Sequence, residues 1–97
     1  MKPLRFAWDP AKAAVNRRKH RVTFEEAQTA FYDEHARLEY DPDHSHSEDR
    51  FVLLGTSDRF RILVVCHCYS TRDEEIRLIS ARKATKQERK QYEAFLP

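Results

Sequence analysis

The chain opens with helix punctuation. Asp9-Pro10 reads as an N-cap followed by proline at the first helical position, where a missing N–H costs nothing. Ala11, Ala14, Val15 and Arg18 recur at helical spacing and predict a short helix with a narrow apolar stripe. A second start follows at Thr23, with Glu26 three residues on as the partner of a capping box. Val22 and Ala27 stand at the positions of a hydrophobic staple. Phe24, Ala27 and Phe31 mark the buried stripe of this helix, which should end near Asp33.

The period then changes to two. Ala36, Leu38 and Tyr40 alternate with Arg37 and Glu39 as in a half-buried strand. Residues 41–49 have neither period and read as a polar loop. A strand over 51–56, a turn at Ser57-Asp58-Arg59 and a long central strand over 60–69 follow. The last strand spans 76–81, and Thr85 with Glu88 forms another capping box that opens a C-terminal helix through Tyr92 and Phe95. The predicted order is short strand, two helices, four strands in a meander, one helix. Strands grouped apart from helices indicate an α+β fold with an antiparallel sheet, one face on the helices and the other partly open.

Ninety-seven residues suit one domain, 1–97, with a single modest core. One glycine, Gly55, excludes a phosphate-cradling Gly-rich loop or dinucleotide fingerprint, and no cofactor is expected. No apolar run approaches the roughly 18 residues that span a bilayer, and no signal peptide is visible, so a cytoplasmic location and no membrane partner are expected. Cys66 and Cys68 are same-face neighbours on a strand, which suits a reducing compartment.

The net charge of +2 conceals a strong polarisation. Residues 25–49 hold nine acids against one base, Arg37, a block of −8, so the remainder carries +10. Bases concentrate in Arg17-Arg18-Lys19-His20-Arg21 and again in Arg82, Lys83, Lys86, Arg89 and Lys90. Solvated helix faces are the plain reading of either run alone; two such clusters are the footprint of a polyanion partner.

RNA cleavage without a metal needs a group to take the 2′-OH proton, one to protonate the 5′-oxygen, and cations for the phosphorane charge. The chain offers Arg61, His67, Arg77 and Arg82 from the sheet and its junction with the last helix, and Lys19-His20 from the end of the first helix. By strand parity Arg61 and His67 share one face of the central strand and Glu75 and Arg77 one face of the last. They converge if the register aligns those faces. Taken singly, each is more plainly a surface charge or cross-strand pair. His20 also suits a helix C-terminus as a cation, and Trp8 is better read as core than as a base-stacking platform.

The loop Asp41-x-Asp43-His44-x-His46-x-Glu48-Asp49 offers metal-ligand residue types without a ligand spacing, and Cys66-His67-Cys68 has its imidazole turned from both thiols, so no metal site is expected. Three function classes stay open on the residues alone: a metal-free ribonuclease, a non-catalytic nucleic-acid or protein-binding module, and a metal-dependent nuclease using the 41–49 loop.

Trp8-Asp9-Pro10-x-Lys12, then Asn16-x-x-Lys19-His20-x-Val22-x-Phe24-x-x-Ala27, resembles the opening of the BrnT toxins. His44-Ser45, Glu48-x-Arg50, Gly55-x-Ser57 and Arg61-x-Leu63 continue the likeness. Arg77-x-Ile79-Ser80-Ala81-Arg82-Lys83-Ala84, with Glu88 and Tyr92, completes it. The resemblance implies a RelE-like fold, RNA cleavage that arrests translation, and a BrnA-like antitoxin. That antitoxin would dimerise through a ribbon-helix-helix region, form a heterotetramer with the toxin, and alone contact operator DNA. Where the family commonly has Gly after Lys-His, this chain has Arg21, which must adopt a costlier left-handed backbone or alter the helix end.

On this reading Lys19 and Arg82 hold phosphate and transition-state charge, supported by Arg61 and Arg77. His20 is the preferred proton-transfer group with His67 in reserve. Arg17, Arg18, Lys83, Lys86 and Arg89 are the candidate RNA-binding residues.

Overall fold

The computed structural model describes residues 3–97. The chain runs β1 (Phe6–Ala7), α1 (Pro10–His20), α2 (Phe24–Thr29), a 3-10 turn (Ala30–Tyr32), β2 (Arg37–Asp41), a second 3-10 turn (Pro42–His44), β3 (Arg50–Thr56), β4 (Ile62–Ser70), β5 (Glu75–Lys83) and α3 (Lys86–Ala94). The strands form one sheet in the order β1-β5-β4-β3-β2. β2 to β5 are an antiparallel meander, and β1 adds in parallel to the outer edge of β5. The α+β class and element order follow the pattern of the sequence.

The helices divide between the two faces. Val22, Phe24, Ala27 and Ala30 pack with Leu53, Leu63, Val65, Leu78 and Ala81 into the main core. Trp8 belongs to that core, edge-on to Phe24 with ring centroids 5.9 Å apart. The opposite face is not simply open: α3 lies across part of it. Tyr92 accepts a hydrogen bond from Thr56 Oγ1 at 3.0 Å and donates to the Asp33 carboxylate, while the Arg37 guanidinium sits 3.7 Å from the Phe95 ring centroid. Among the described residues no helix is long and apolar enough to cross a membrane.

Helix α1 departs from the expected apolar stripe. Ala11 and Ala14 are exposed, and Val15 retains 52% of its surface. The buried residue is Asn16, 5% exposed. Its amide accepts from the Ala81 N–H at 3.0 Å and donates to the Ala81 carbonyl and the Val22 carbonyl, both at 2.9 Å. It thus continues the ladder of β5 just past the point where two-residue β1 ends. A single fully bonded amide moors the helix, because backbone groups on a buried strand edge must find partners.

Three local details also differ from expectation. Thr23 caps α2 by accepting from the Glu26 N–H at 3.1 Å, but the Glu26 carboxylate does not reach back; it turns inward to Arg61 and Ser57. The capping box at Thr85 and Glu88, by contrast, is complete. Phe60 lies outside β4, in a three-residue hairpin loop where the Phe60 N–H donates to the Ser57 carbonyl at 2.9 Å and the Ser57 N–H to the Arg61 carbonyl at 2.8 Å. Its φ of 62° is one that glycine usually supplies at such a loop. Finally, a bulge between Cys66 and His67 shifts the register with β5, so Val65 pairs with Ala81 but His67 pairs with Leu78 and Cys68 with Arg77.

Candidate functional site

The bulge decides which candidate residues meet. Beyond it, His67 shares its face with Leu78, and Arg77 shares the opposite face with Cys68. The convergence of His67, Arg61, Arg77 and Glu75 therefore does not occur. His67 is 4% exposed, edge-on to Phe31 at 4.8 Å and stacked on Phe51 at 6.1 Å, with Nδ1 3.1 Å from the Val65 carbonyl. Burial pushes its pKa below the ordinary histidine value and favours the neutral ring. Arg77 donates to Glu48 at 2.6 Å beside Arg50 and closes the 41–49 loop onto the sheet.

Four candidates gather at the other end of the strands. Arg61 precedes β4, Arg82 pairs across from Val64, and the Asn16–Ala81 bonds place the last turn of α1, with Lys19 and His20, beside the end of β5. The basic last turn suits the partial negative charge of a helix C-terminus. Lys19 and His20, with Lys12, Val15 and Asn16, form one wall of an open groove of about 330 Å³ whose other wall is Ile79 and Ser80 of β5. Helical spacing explains the wall: positions 12, 15, 16 and 19 lie on one face.

The two arginines at this end are partly committed. Arg61 grips the buried Glu26 through both carboxylate oxygens, with Nε at 2.9 Å, and donates to the Arg21 carbonyl at 3.3 Å. Ser57 Oγ adds a bond to Glu26 at 2.7 Å. The Arg61 hydrogen bonds hold the Glu26 carboxyl below the usual carboxylate range, against the opposing effect of burial. Arg61 thereby ties the β3–β4 hairpin to α2 and to the end of α1, which is a structural task. Arg82 donates to both Glu88 oxygens, at 2.7 and 3.0 Å, and this bonding pushes the Glu88 carboxyl down to about 2. The Arg82 side chain nevertheless stays 41% exposed and shares the sheet face of Ser80, two residues before it.

The candidate RNA-binding residues split three ways. Arg17 and Arg18 lie on the far flank of α1, around a second groove of about 640 Å³ with Arg21, Thr23 and Arg59. Lys83 ends β5 on the face of Leu63, and Lys86 and Arg89 are exposed on α3. The expected residues did not include Arg21 or Arg59. The signal for Arg21 was present, since positions 14, 17, 18 and 21 make a second helical stripe; Arg59 joins only through the hairpin. In the 41–49 loop, His44 Nδ1 sits 2.8 Å from Asp41 Oδ2 and Tyr40 donates to Asp49 at 3.2 Å. Among the described residues no group of three or more His, Cys, Asp or Glu is arranged to hold a metal ion.

Residues 8–88 match the family model described as the ribonuclease toxin BrnT of type II toxin–antitoxin systems. The chain belongs to the BrnT family. The crystal structure of the Brucella abortus ribonuclease toxin BrnT matches the fold with a TM-score of 0.65 at 22% identity, covering 87% of this chain and 100% of that one. No curated protein matches the sequence. As a BrnT toxin the chain is a ribonuclease whose target is RNA and whose natural partner is an antitoxin.

Proposed function

We propose that this BrnT toxin is a metal-independent endoribonuclease that cuts RNA in the groove between α1 and β5. The observation that carries the reading is the pairing there of an ammonium, Lys19, with an imidazole, His20, on a wall facing Ser80, whose sheet face the partly exposed Arg82 shares two residues further along β5. His20 takes the 2′-OH proton or returns one to the 5′-oxygen, the task for which an imidazole is suited near neutral pH. Lys19 and Arg82 hold the scissile phosphate and its developing charge. Bond breaking then leaves a 2′,3′-cyclic phosphate and a 5′-hydroxyl. Arg61 and Arg77 act at a distance by fixing the scaffold, and His67 keeps its place in the core.

The biological counterpart of this chemistry is arrest of translation in the cytoplasm, relieved by a BrnA-like antitoxin. In that complex an antitoxin dimer binds two toxins and alone contacts operator DNA.

The test is cleavage of a defined RNA by the purified toxin in excess chelator, with analysis of the product ends. Cyclic phosphate ends are expected, with a loss of about 10²–10⁴-fold in His20→Ala and a comparable loss in Arg82→Ala. A requirement for added metal, or full activity in a folded His20→Ala protein, overturns the assignment.

A further inference from the structure

Two non-glycine residues at the cationic end hold left-handed backbone: Arg21 at φ 56° and Phe60 at φ 62°. A side chain makes that backbone costly, whereas glycine adopts it freely. Both residues belong to segments that form one groove. Arg21 lines the 640 Å³ groove with Arg17, Arg18 and Arg59, and Phe60 follows Arg59 directly in the hairpin loop. Phe60 is 90% exposed, the most exposed of the large apolar side chains among the described residues, and contributes nothing to the core. The hairpin does not hang free: Arg61 binds the Arg21 carbonyl and Glu26, so loop and helix end are held in fixed relation.

We propose that this groove is a single-strand RNA-binding subsite, separate from the cleavage groove on the other flank of α1. Arg17, Arg18, Arg21 and Arg59 hold successive phosphates, and an unpaired base stacks on Phe60. The proposal rests on the reading of the protein as an RNA-cleaving enzyme and adds where the strand leading away from the cut is held. Guanidinium forks match phosphate oxygens, and an exposed aromatic ring beside a cationic groove is the arrangement that takes unstacked bases. A duplex keeps its base faces stacked and has no use for the ring. An acidic protein segment would use the arginines and leave Phe60 idle.

Because the last turn of α1 divides the two grooves, one strand crossing that turn touches Arg17 and Arg18 on one side and Lys19 and His20 on the other. The subsite therefore sets where along a strand the cut falls, and short RNAs that cannot reach it are poorer substrates.

The experiment measures binding of a labelled, unstructured 2′-O-methyl oligoribonucleotide, which cannot be cleaved, by fluorescence anisotropy across a series of salt concentrations. Arg17→Ala, Arg18→Ala and Arg59→Ala are each expected to weaken binding and to reduce the salt slope by about 0.7. Phe60→Gly relieves the backbone and removes the ring, so it should fold at least as well as the parent, bind about ten-fold more weakly, and leave the salt slope unchanged. Phe60→Trp should restore affinity. Unaltered binding by Phe60→Gly overturns the proposal, as does equal competition by polyglutamate that is indifferent to Phe60. The cleavage assay separates the two readings. A parent protein that binds through Phe60 without cutting RNA upholds the subsite and removes the ribonuclease mechanism; one that cuts RNA with Arg59→Ala and Phe60→Gly binding as the parent does removes only the subsite.

Discussion

The Glu26 carboxylate and the Arg61 guanidinium form a two-point ion pair between α2 and the foot of the β3–β4 hairpin, with the Glu26 side chain only 3% exposed. Ser57 and the Arg21 carbonyl complete the set of bonds around it. Two segments 35 residues apart in sequence thus meet at one carboxylate, and the Arg61 guanidinium extends the junction to the end of α1.

Glu26→Gln leaves the guanidinium facing a neutral amide in a largely enclosed site. Removing one member of a buried pair costs about 3–5 kcal/mol, and the low end is expected because Arg61 keeps a route to solvent. Urea unfolding measures it. Glu26→Gln combined with Arg61→Met should recover part of the loss; a double variant no better than the single one would refute the pairing as its cause.

Asn16→Ala strands the Ala81 N–H and carbonyl together with the Val22 carbonyl. Unsatisfied buried groups cost about 1–3 kcal/mol each, so a loss of about 3 kcal/mol is expected. Hydrogen exchange should show α1 opening ahead of the rest of the sheet. Protection of α1 equal to that of β4 in this variant would contradict the mooring role.

Gly55 is needed for space rather than for its φ. A Cβ there would lie 2.8 Å from the Ala30 carbonyl and 3.2 Å from the Ala36 methyl. Gly55→Ala must push the 3-10 turn off the sheet, at about 1–3 kcal/mol. Thermal melting tests this, and an unchanged melting temperature would show that the turn yields freely.

Stability should fall with acid in two stages. His67 has a lowered folded pKa, so the unfolded chain gains a proton first and stability declines as pH drops below the ordinary value of 6.5. Glu26 and Glu88 have lowered folded values, so their contributions are whole above about 4.5 and are lost as pH falls through those lowered values, which for Glu88 is about 2. Asp33 adds to the second stage. Burial works against its charge, but the Thr56 amide, the Tyr92 hydroxyl and the His35 amide outweigh that and hold it low. Urea midpoints against pH should show the upper stage vanish in His67→Phe. The lower one should shrink in Arg82→Ala, with the Glu88 carboxyl titrating nearer 4.5 by NMR.

The periodic parts of the chain were legible because burial wrote them: Phe24 and Ala27 on α2, the alternation of Leu63 and Val65, the complete box at Thr85 and Glu88. The parts that escaped depend on competition between partners. Glu26 had a capping role open to it, and a bidentate arginine distant in sequence outbid the local backbone. The bulge after Cys66 leaves no local mark, yet it separates Arg77 from His67. Asn16 sat in plain view within a helix, but its value lies in an edge of β5 that only the fold creates. At the candidate site, Lys19 and His20 were visible as a basic helix end; their groove with Ser80 was not, since it needs the mooring of α1. Arg21 announced a strained helix end, and its φ of 56° shows that the chain accepts the strain.

The distribution of charge along the strands has a dynamic consequence. The arginines of α1 and the hairpin stand at one end of the sheet, and the loop holding Asp41, Asp43, Glu48 and Asp49 closes the other. Such a molecule carries a large dipole moment despite a net charge of only +2. In the field of a polyanion it experiences torque before it experiences contact. Encounters are therefore pre-aligned, cationic end first, and the advantage in association rate fades as ionic strength shortens the reach of that field.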